Sequence, residues 1–288
     1  MTTSGTPQTI TPQLRQWIVE QAQAGHAPQA VLQSMREAGW DEDVAIQALE
    51  TTLEAHLAQH AEALGRLPPA VPVPEPLPDE SVLHLDAGDR QVAVVATLTR
   101  PRVVVLGNLL SDDECDALIQ AARPRMARSL TVQTRTGGEE INDDRTSRGM
   151  FFARGEGELV ARIEARIARL VHWPVKNGEG LQVLHYPLGA EYKPHYDYFD
   201  PAEPGTPTIL RRGGQRVATV VMYLSEPLQG GGTVFPDVPL EVAPKRGHAV
   251  FFSYERPHPS TRTLHAGAPV LAGEKWIATK WLREREFE

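Results

Sequence analysis

Apolar residues recur every three or four positions through residues 1–66, which is the spacing of amphipathic helices. Thr11 can cap a first helix that opens with Pro12, and Gly25 and Gly39 supply stop signals between the later segments. The predicted apolar stripes are Leu14, Trp17 and Ile18; Val31, Leu32 and Met35; and Val44, Ala45, Leu49, Leu53 and Leu57. The pattern therefore predicts a small bundle of three helices.

Residues 67–80 follow with a different composition, because prolines recur at short intervals between Leu67 and Pro78. Proline lacks a backbone N–H and fixes its own φ, so this segment cannot form a helix or a central strand. It is expected to be an extended, semi-rigid polyproline linker.

Residues 81–288 contain short runs rich in Val, Phe, Tyr and Ile that are separated by Gly and Pro turns, a pattern typical of strands. The predicted strands are Val92–Ala96, Val103–Leu106, Leu181–Tyr186, Val217–Ser225, Thr233–Pro236, Leu240–Val242, Ala249–Tyr254 and Trp276–Leu282. Two helices are predicted among them, one after the capping box Ser111-Asp-Asp-Glu114 and one from about Glu158 to Val171. The predicted domain is of the α+β class, with its strands closing into a small barrel.

Composition narrows the functional classes. The 288 residues carry a net charge of −8, which disfavours broad nucleic-acid binding because that needs a basic field. No run approaches the roughly 20 apolar residues of a membrane helix, so no membrane partner is expected. Cys115 is the single cysteine and the amino terminus lacks the pattern of a secretory signal, which together favour a cytoplasmic location.

The candidate chemistry lies in His195-Tyr196-Asp197 and in the later His265. Two imidazoles and one carboxylate can occupy one face of an Fe(II) octahedron, which leaves three positions for a bidentate 2-oxo acid and O2. A lone His-x-Asp is common in soluble chains, so this pattern gains its meaning from the surrounding motifs.

Those motifs are Gln182 to Phe199 (QVLHYPLGAEYKPHYDYF), Gly213 to Leu224 (GGQRVATVVMYL), Gly230 to Pro236 (GGGTVFP) and Leu264 to Trp281 (LHAGAPVLAGEKWIATKW). In these blocks and in their order, roughly residues 100 to 284 resemble the prolyl 4-hydroxylase branch of the 2-oxoglutarate/Fe(II) dioxygenases. The resemblance implies a double-stranded β-helix (jelly-roll) barrel with flanking helices. It also implies that Fe(II), 2-oxoglutarate and O2 are used to hydroxylate prolyl residues at the 4-position in a peptide or protein, with release of succinate and CO2. Ascorbate binding is a further expectation, and the resemblance leaves the need for ascorbate open.

The resemblance assigns roles to individual residues. It makes His195, Asp197 and His265 the iron ligands, and it places Lys275 where the family binds the distal carboxylate of 2-oxoglutarate. Physical chemistry supports the lysine assignment, since an inward-pointing charge on the last barrel strand needs an anionic partner. Further positions that match the family are Tyr186 and Thr233 for the cosubstrate, and Tyr192, Arg216 and Arg283 for the peptide groove.

Several alternatives stay open. His258 and His185 are other histidines in the barrel region, and His265 is favoured as the ligand by its Leu-His-Ala-Gly context. The substrate could be a free amino acid or another small molecule, the barrel could be an inactive binding module, or the proline-rich segment could be the chain's own substrate. In the first domain, Met35-Arg-Glu-Ala-Gly-Trp40 resembles the loop of a ubiquitin-associated (UBA) bundle, although a plain docking or oligomerising bundle fits equally well. Its partner is unknown.

Overall fold

A computed structural model describes residues 8–77, 82–128, 131–132, 139–140 and 145–288. The chain divides into two compact units, Met1–Pro69 and Ala70–Glu288. Within the described ranges, no helix is both long enough and apolar enough to cross a membrane.

The first unit contains the three predicted helices, α1 (Pro12–Gln23), α2 (Pro28–Glu37) and α3 (Glu42–Ala63). Thr11 caps α1, because its hydroxyl accepts a hydrogen bond from the Leu14 amide at 3.2 Å. The apolar faces of the three helices meet in a core that consists of Ile18, Val31, Met35, Ala45, Ala48 and Leu49. A small helical bundle therefore precedes the barrel, as the hydrophobic pattern predicts.

The second unit combines helices with antiparallel β-sheets. Its elements in chain order are β1 (His84–Asp86), β2 (Gln91–Leu98), β3 (Arg102–Gly107), α4 (Asp112–Ala122), β4 (Ala127–Arg128), β5 (Thr131–Val132), β6 (Glu139–Glu140), β7 (Arg148–Phe152), α5 (Gly157–Leu170), β8 (Leu181–Tyr186), β9 (Tyr192–His195), α6 (Thr206–Ile209), β10 (Arg216–Tyr223), β11 (Gln229–Gly230), β12 (Thr233–Phe235), β13 (Leu240–Val242), β14 (Ala249–Ser253), β15 (His265–Gly267), β16 (Val270–Ala272) and β17 (Lys275–Arg283).

Two sheets of this unit enclose one core. The larger has the order β1-β2-β3-β14-β10-β17-β8-β7-β4, and the smaller has the order β13-β12-β15-β9. Inward-facing residues of both sheets pack together; the cluster includes Tyr186, Val221, Tyr223, Phe252 and Ile277 from the larger sheet and Phe235 and Val242 from the smaller one. This arrangement confirms the predicted double-stranded β-helix.

Helices α4 and α5 cover the outer face of the larger sheet. The Ser111 hydroxyl accepts from the Glu114 amide and the Glu114 carboxylate accepts from the Ser111 amide, so the predicted capping box is formed. Apolar residues of both helices, such as Leu118 and Ile163, join outward-facing strand residues such as Val220 in a second core. The flanking helices predicted from the sequence therefore support the barrel from outside.

Part of the proline-rich segment, which is predicted to be an extended, semi-rigid linker, packs within the second unit. Residues 70–77 belong to the second unit, where Pro74 and Pro76 are buried. Glu75 forms two hydrogen bonds with the Arg102 guanidinium at 2.5 and 2.8 Å, and its amide donates to the Val171 carbonyl at 3.1 Å. Proline favours the extended backbone here, and these contacts hold the segment against the barrel domain.

Strand β10 contains one irregularity that affects the site. Its register against β17 shifts between Arg216 and Ala218, so one extra residue bulges from β10. After the bulge, alternate residues Thr219, Val221 and Tyr223 face the space between the two sheets, while Ala218 packs in the outer core. The strand thus presents one regular row of side chains to the interior.

Candidate metal centre

The smaller sheet brings the two candidate histidines together. His195 is the last residue of β9, His265 is the first residue of β15, and these two residues are paired across the antiparallel strands. Asp197 follows two positions after His195. The Asp197 carboxylate lies 3.6 Å from His195 Nε2 through Oδ1 and 3.5 Å from His265 Nε2 through Oδ2. One ligand atom from each side chain lies within 4.8 Å of those of the other two.

The other ring nitrogen of each histidine is fixed by the backbone. His195 Nδ1 lies 2.8 Å from the Lys193 carbonyl and His265 Nδ1 lies 3.0 Å from the Thr263 carbonyl. Because a carbonyl only accepts, both Nδ1 atoms carry the proton as donors. Both Nε2 atoms are therefore unprotonated in the neutral rings, and they face the carboxylate.

Burial sets the charge state of the cluster. It lowers the pKa of His195 to about 3, and the nearby His265 ring adds to this effect, so His195 is neutral at physiological pH. Burial also raises the pKa of the Asp197 carboxyl, but the two histidines, Arg216 and the Thr219 hydroxyl outweigh burial and lower this pKa to about 2. Two imidazoles whose Nε2 atoms face one ionised carboxylate form a donor set that fits a divalent iron ion.

Lys275 supplies a buried cation at the same pocket. Its side chain is 2 % exposed, and its ammonium donates to the Gly231 carbonyl at 2.7 Å. No carboxylate pairs with Lys275 among the residues that the structure describes, and burial lowers the pKa of its ammonium to about 8. A buried charge without a counterion is unfavourable, so this position suits a bound anion.

Tyr186 and Thr233 line the pocket that Lys275 and the metal cluster share. Tyr186 lies opposite Lys275 on the neighbouring strand, and the Thr233 hydroxyl accepts a hydrogen bond from the Tyr223 hydroxyl at 2.8 Å. Tyr223 is fully buried and therefore holds Thr233 in one orientation. Both residues therefore line the same pocket as Lys275, and a contact with the cosubstrate stays a prediction.

The three residues expected in the peptide groove occupy different environments. Tyr192 lines the pocket and stacks on the His195 ring at a centroid distance of 3.6 Å. The Arg216 guanidinium is engaged with Glu179 at 2.7 and 2.9 Å. Arg283 is 1 % exposed and donates to the carbonyls of residues 209 and 212. The structure therefore brings Tyr192 to the pocket, and it places both arginines in a buried network beside it.

Arg145 and Trp281 also line the pocket, although the sequence reasoning assigned neither of them a role. Arg145 donates to the Gln182 side chain at 2.9 Å and packs over the Tyr192 ring. Its Nε and the Trp281 indole N–H are buried, and neither has a hydrogen-bond partner within the described part of the chain. The sequence contains a signal for Arg145, because the resemblance to the family extends upstream of the barrel motifs through Asp144-Arg-Thr-Ser147.

The two competing histidines lie outside the cluster. His258 Nδ1 accepts from the Ser260 amide at 3.1 Å at the start of a 3-10 turn. His185 stacks on Trp276 and pairs with the Glu274 carboxylate at 2.7 Å, on the face of β8 opposite Tyr186. Each ring is therefore held in a local contact away from Asp197.

The chain is similar to known proteins of one enzyme family. Residues 181–283 match the family model of the 2OG-Fe(II) oxygenase superfamily. Prolyl 4-hydroxylase 5 of Arabidopsis thaliana is 44% identical over 223 residues, which cover 70% of this chain and 74% of the relative. Probable prolyl 4-hydroxylase 8 of the same plant is 42% identical over 221 residues, covering 69% and 74%. The structure of a viral collagen prolyl hydroxylase from Paramecium bursaria Chlorella virus-1, in complex with 2OG, has 32% identity and a TM-score of 0.49, and covers 63% of this chain and 95% of that chain.

Both plant relatives are more than 40% identical over more than two thirds of this chain, and the metal cluster and Lys275 lie inside residues 181–283. The enzyme uses Fe(II), 2-oxoglutarate and O2. This chain belongs to the prolyl 4-hydroxylase family of the 2OG-Fe(II) oxygenase superfamily, and it is a 2-oxoglutarate-dependent dioxygenase.

Proposed function

We propose that this dioxygenase hydroxylates prolyl residues of a peptide or protein at the 4-position. The observation that carries the proposal is the identity of 44% over 223 residues to a relative named prolyl 4-hydroxylase. The pocket supports a peptide as substrate, because the buried Arg145 Nε and the Trp281 indole N–H are donors without a partner in the described residues. Peptide carbonyls are acceptors of the kind that such donors require.

In this proposal His195, Asp197 and His265 hold Fe(II), which supplies O2 activation coupled to decarboxylation of 2-oxoglutarate when both are bound. Lys275 binds and neutralises the distal carboxylate of 2-oxoglutarate, and the Thr233 hydroxyl contacts the cosubstrate beside it. Apolar side chains such as Val221 and Ile277 line the same pocket and exclude water from it. The Tyr192 ring, fixed by its stacking on His195, forms one wall for the substrate.

The test is turnover by the full chain with Fe(II), 2-oxoglutarate and O2. The substrates compared are a proline-containing peptide, the same peptide with alanine in place of proline, and free proline. We expect succinate release and a gain of one oxygen with the first peptide only, and amino-acid analysis should identify 4-hydroxyproline. Turnover of free proline with none of the peptide would overturn the peptide assignment and favour a small-molecule oxygenase. Asp197→Ala should abolish succinate release, which an inactive binding barrel would never have produced.

The first unit has a separate role in this proposal. Its helical core is formed within residues 1–69, so the bundle can bind a partner without help from the barrel domain. We propose that it recruits the protein substrate and raises the effective concentration of that substrate at the barrel. We also propose a cytoplasmic location, supported by the single cysteine in the sequence, and stimulation by ascorbate, which succinate assays with and without ascorbate would test.

A further inference from the structure

Behind the metal cluster, Asp197 is held by a side chain of the larger sheet. The Thr219 hydroxyl, on β10, lies 2.7 Å from Asp197 Oδ2 and 3.0 Å from the Tyr254 hydroxyl. Thr219 is fully buried and Tyr254 is 1 % exposed. These three side chains form a chain of hydrogen bonds that runs from the end of β14 to the carboxylate.

The donors and acceptors in this chain have one consistent direction. An ionised carboxylate only accepts, so Thr219 must donate its single hydroxyl proton to Asp197 Oδ2. Having no second proton, Thr219 can only accept from Tyr254, whose hydroxyl is therefore the donor. Successive hydrogen bonds of this kind polarise one another, so Tyr254 strengthens the bond that Thr219 donates.

The chain engages only one of the two carboxylate oxygens. Asp197 Oδ2 is occupied by Thr219, whereas Oδ1 accepts no hydrogen bond from the residues that the structure describes. A metal centre that must accept 2-oxoglutarate at two positions and O2 at a third needs Asp197 to use a single oxygen. A bidentate carboxylate would occupy one of those three positions.

We infer that Thr219, backed by Tyr254, is a positioning residue that restricts Asp197 to monodentate binding through Oδ1. This inference rests on the proposed assignment of Asp197 as an iron ligand. Loss of an outer hydrogen bond to a ligating group commonly weakens metal affinity about 10- to 100-fold. The effect should extend to 2-oxoglutarate, because a bidentate Asp197 removes a position that the cosubstrate or O2 needs.

The test uses Co(II), which binds to similar donor sets, as the probe with the full-length protein. Metal affinity is measured by competition with a chelator, and 2-oxoglutarate affinity is then measured on the Co(II)-loaded protein. Thr219→Val should weaken Co(II) binding about 10- to 100-fold and also weaken 2-oxoglutarate binding. Thr219→Ser, which retains the hydroxyl, should restore both affinities, and Tyr254→Phe should have a smaller effect than Thr219→Val.

Two controls separate positioning from folding. Thr206→Val removes another buried hydroxyl, which donates to the Asp200 carbonyl at 2.6 Å, and it should leave Co(II) affinity unchanged. The double variant Thr219→Val with Tyr254→Phe removes both members of the chain, so neither hydroxyl is left buried without a partner. Its melting temperature should recover relative to Thr219→Val while its Co(II) affinity stays weak.

Each outcome decides the inference. Wild-type Co(II) affinity in Thr219→Val, failure of Thr219→Ser to restore binding, or recovery of affinity together with stability in the double variant would overturn the positioning role. Asp197→Ala distinguishes this failure from failure of the metal assignment. If Asp197→Ala binds Co(II) as tightly as wild type, the metal assignment itself is wrong. If Asp197→Ala loses the metal and Thr219→Val keeps it, only the inference about Thr219 fails.

Discussion

Lys275 and Tyr186 lie directly opposite each other on β17 and β8, and the lysine ammonium is 4.6 Å from the centre of the tyrosine ring. The ring faces the cation and can stabilise it, but it cannot neutralise it. The pocket therefore contains a positive charge whose natural complement is a carboxylate.

Replacing Lys275 by Ala should raise the 2-oxoglutarate concentration needed for turnover much more than it weakens metal binding. Loss of a buried, charge-assisted contact typically costs about 2–5 kcal/mol, which corresponds to roughly 30-fold to several thousand-fold in affinity. Titration of 2-oxoglutarate against succinate release measures the effect, and a smaller 2-oxo acid should partly rescue it. Lys245→Ala, at a lysine whose side chain is 63% exposed, is the matched control. An unchanged titration for Lys275→Ala would contradict the assignment.

Cosubstrate affinity should also fall at high pH. Burial lowers the pKa of Lys275 to about 8, so the ammonium is mostly charged well below this pH and increasingly loses its proton above it. The carboxylate of 2-oxoglutarate binds the charged form, and its affinity should decrease by up to about tenfold per pH unit above that value. Binding measured between pH 6.5 and pH 9.5, each about a unit or more from the midpoint, tests this expectation. Lys275→Arg stays charged across that range, so the pH dependence should be lost if the variant binds at all.

His265→Ala and His258→Ala should differ sharply. His265 Nε2 lies 3.5 Å from the Asp197 carboxylate, whereas His258 is engaged by the Ser260 amide in a separate turn. We expect His265→Ala to lose metal and succinate release, because two remaining ligands hold iron poorly. His258→Ala should retain both. Metal content measured on the purified variants decides the matter, and the reverse result would exchange the roles of the two histidines.

Two truncations should have unequal effects. Removing residues 1–69 deletes the first unit alone, and the remaining chain should melt cooperatively and turn over a short proline peptide. Removing residues 1–77 also deletes Glu75, which forms two hydrogen bonds with Arg102, and the buried Pro74 and Pro76. Loss of one charge-assisted pair alone costs about 1 kcal/mol or more, so the shorter chain should melt at least about 2–4 °C lower. Equal melting temperatures would mean that residues 70–77 contribute nothing to the barrel.

Arg283→Ala should act mainly on stability. Arg283 donates to the carbonyls of Ile209 and Arg212, so its loss leaves the Arg212 carbonyl without this donor, leaves the Ile209 carbonyl with only the Arg212 amide, and opens a cavity. A loss of about 2 kcal/mol would lower the melting temperature by roughly 4–8 °C. Metal affinity should stay near wild type. An unchanged melting temperature combined with a raised KM for the peptide would instead support the direct substrate contact expected from the sequence.

The sequence predicted those strands and helices whose residue patterns are strong, including the short strand β13. Strands β8 and β13 have the predicted bounds, and α1, α4 and α5 begin within one residue of their predicted caps or starts. The short strands β9 and β15 were not predicted, although they carry His195 and His265. These strands are three or four residues long and contain Gly or Pro, so neither alternation nor β-propensity can identify them.

The candidate metal ligands could be named from sequence motifs, whereas the residues that hold them in place could not. Thr219 and Tyr254 are far apart in sequence and meet only because β10 pairs with β14. A buried hydroxyl on a strand gives no sequence signal of its partner, and neither does the pairing of Arg216 with Glu179. The contacts of residues 70–77 were missed for the same reason, because composition reveals the extended backbone of a segment and does not reveal where it packs.

The bulge in β10 has a consequence for how this barrel can be altered. In an uninterrupted strand, Arg216 and Thr219 would point to opposite faces because they are three positions apart. The register shift between Arg216 and Ala218 restores both to the interior, where they reach Glu179 and Asp197 respectively. Deleting Val217 would remove the extra residue and leave Arg216 and Thr219 two positions apart in a regular strand, so both would still face the interior. Straightening the strand with Val217 retained would instead turn one of them to the opposite face. Chimeras and designed relatives of this enzyme must therefore match the residue count at this point to the register, with the extra residue kept only where the bulge is kept.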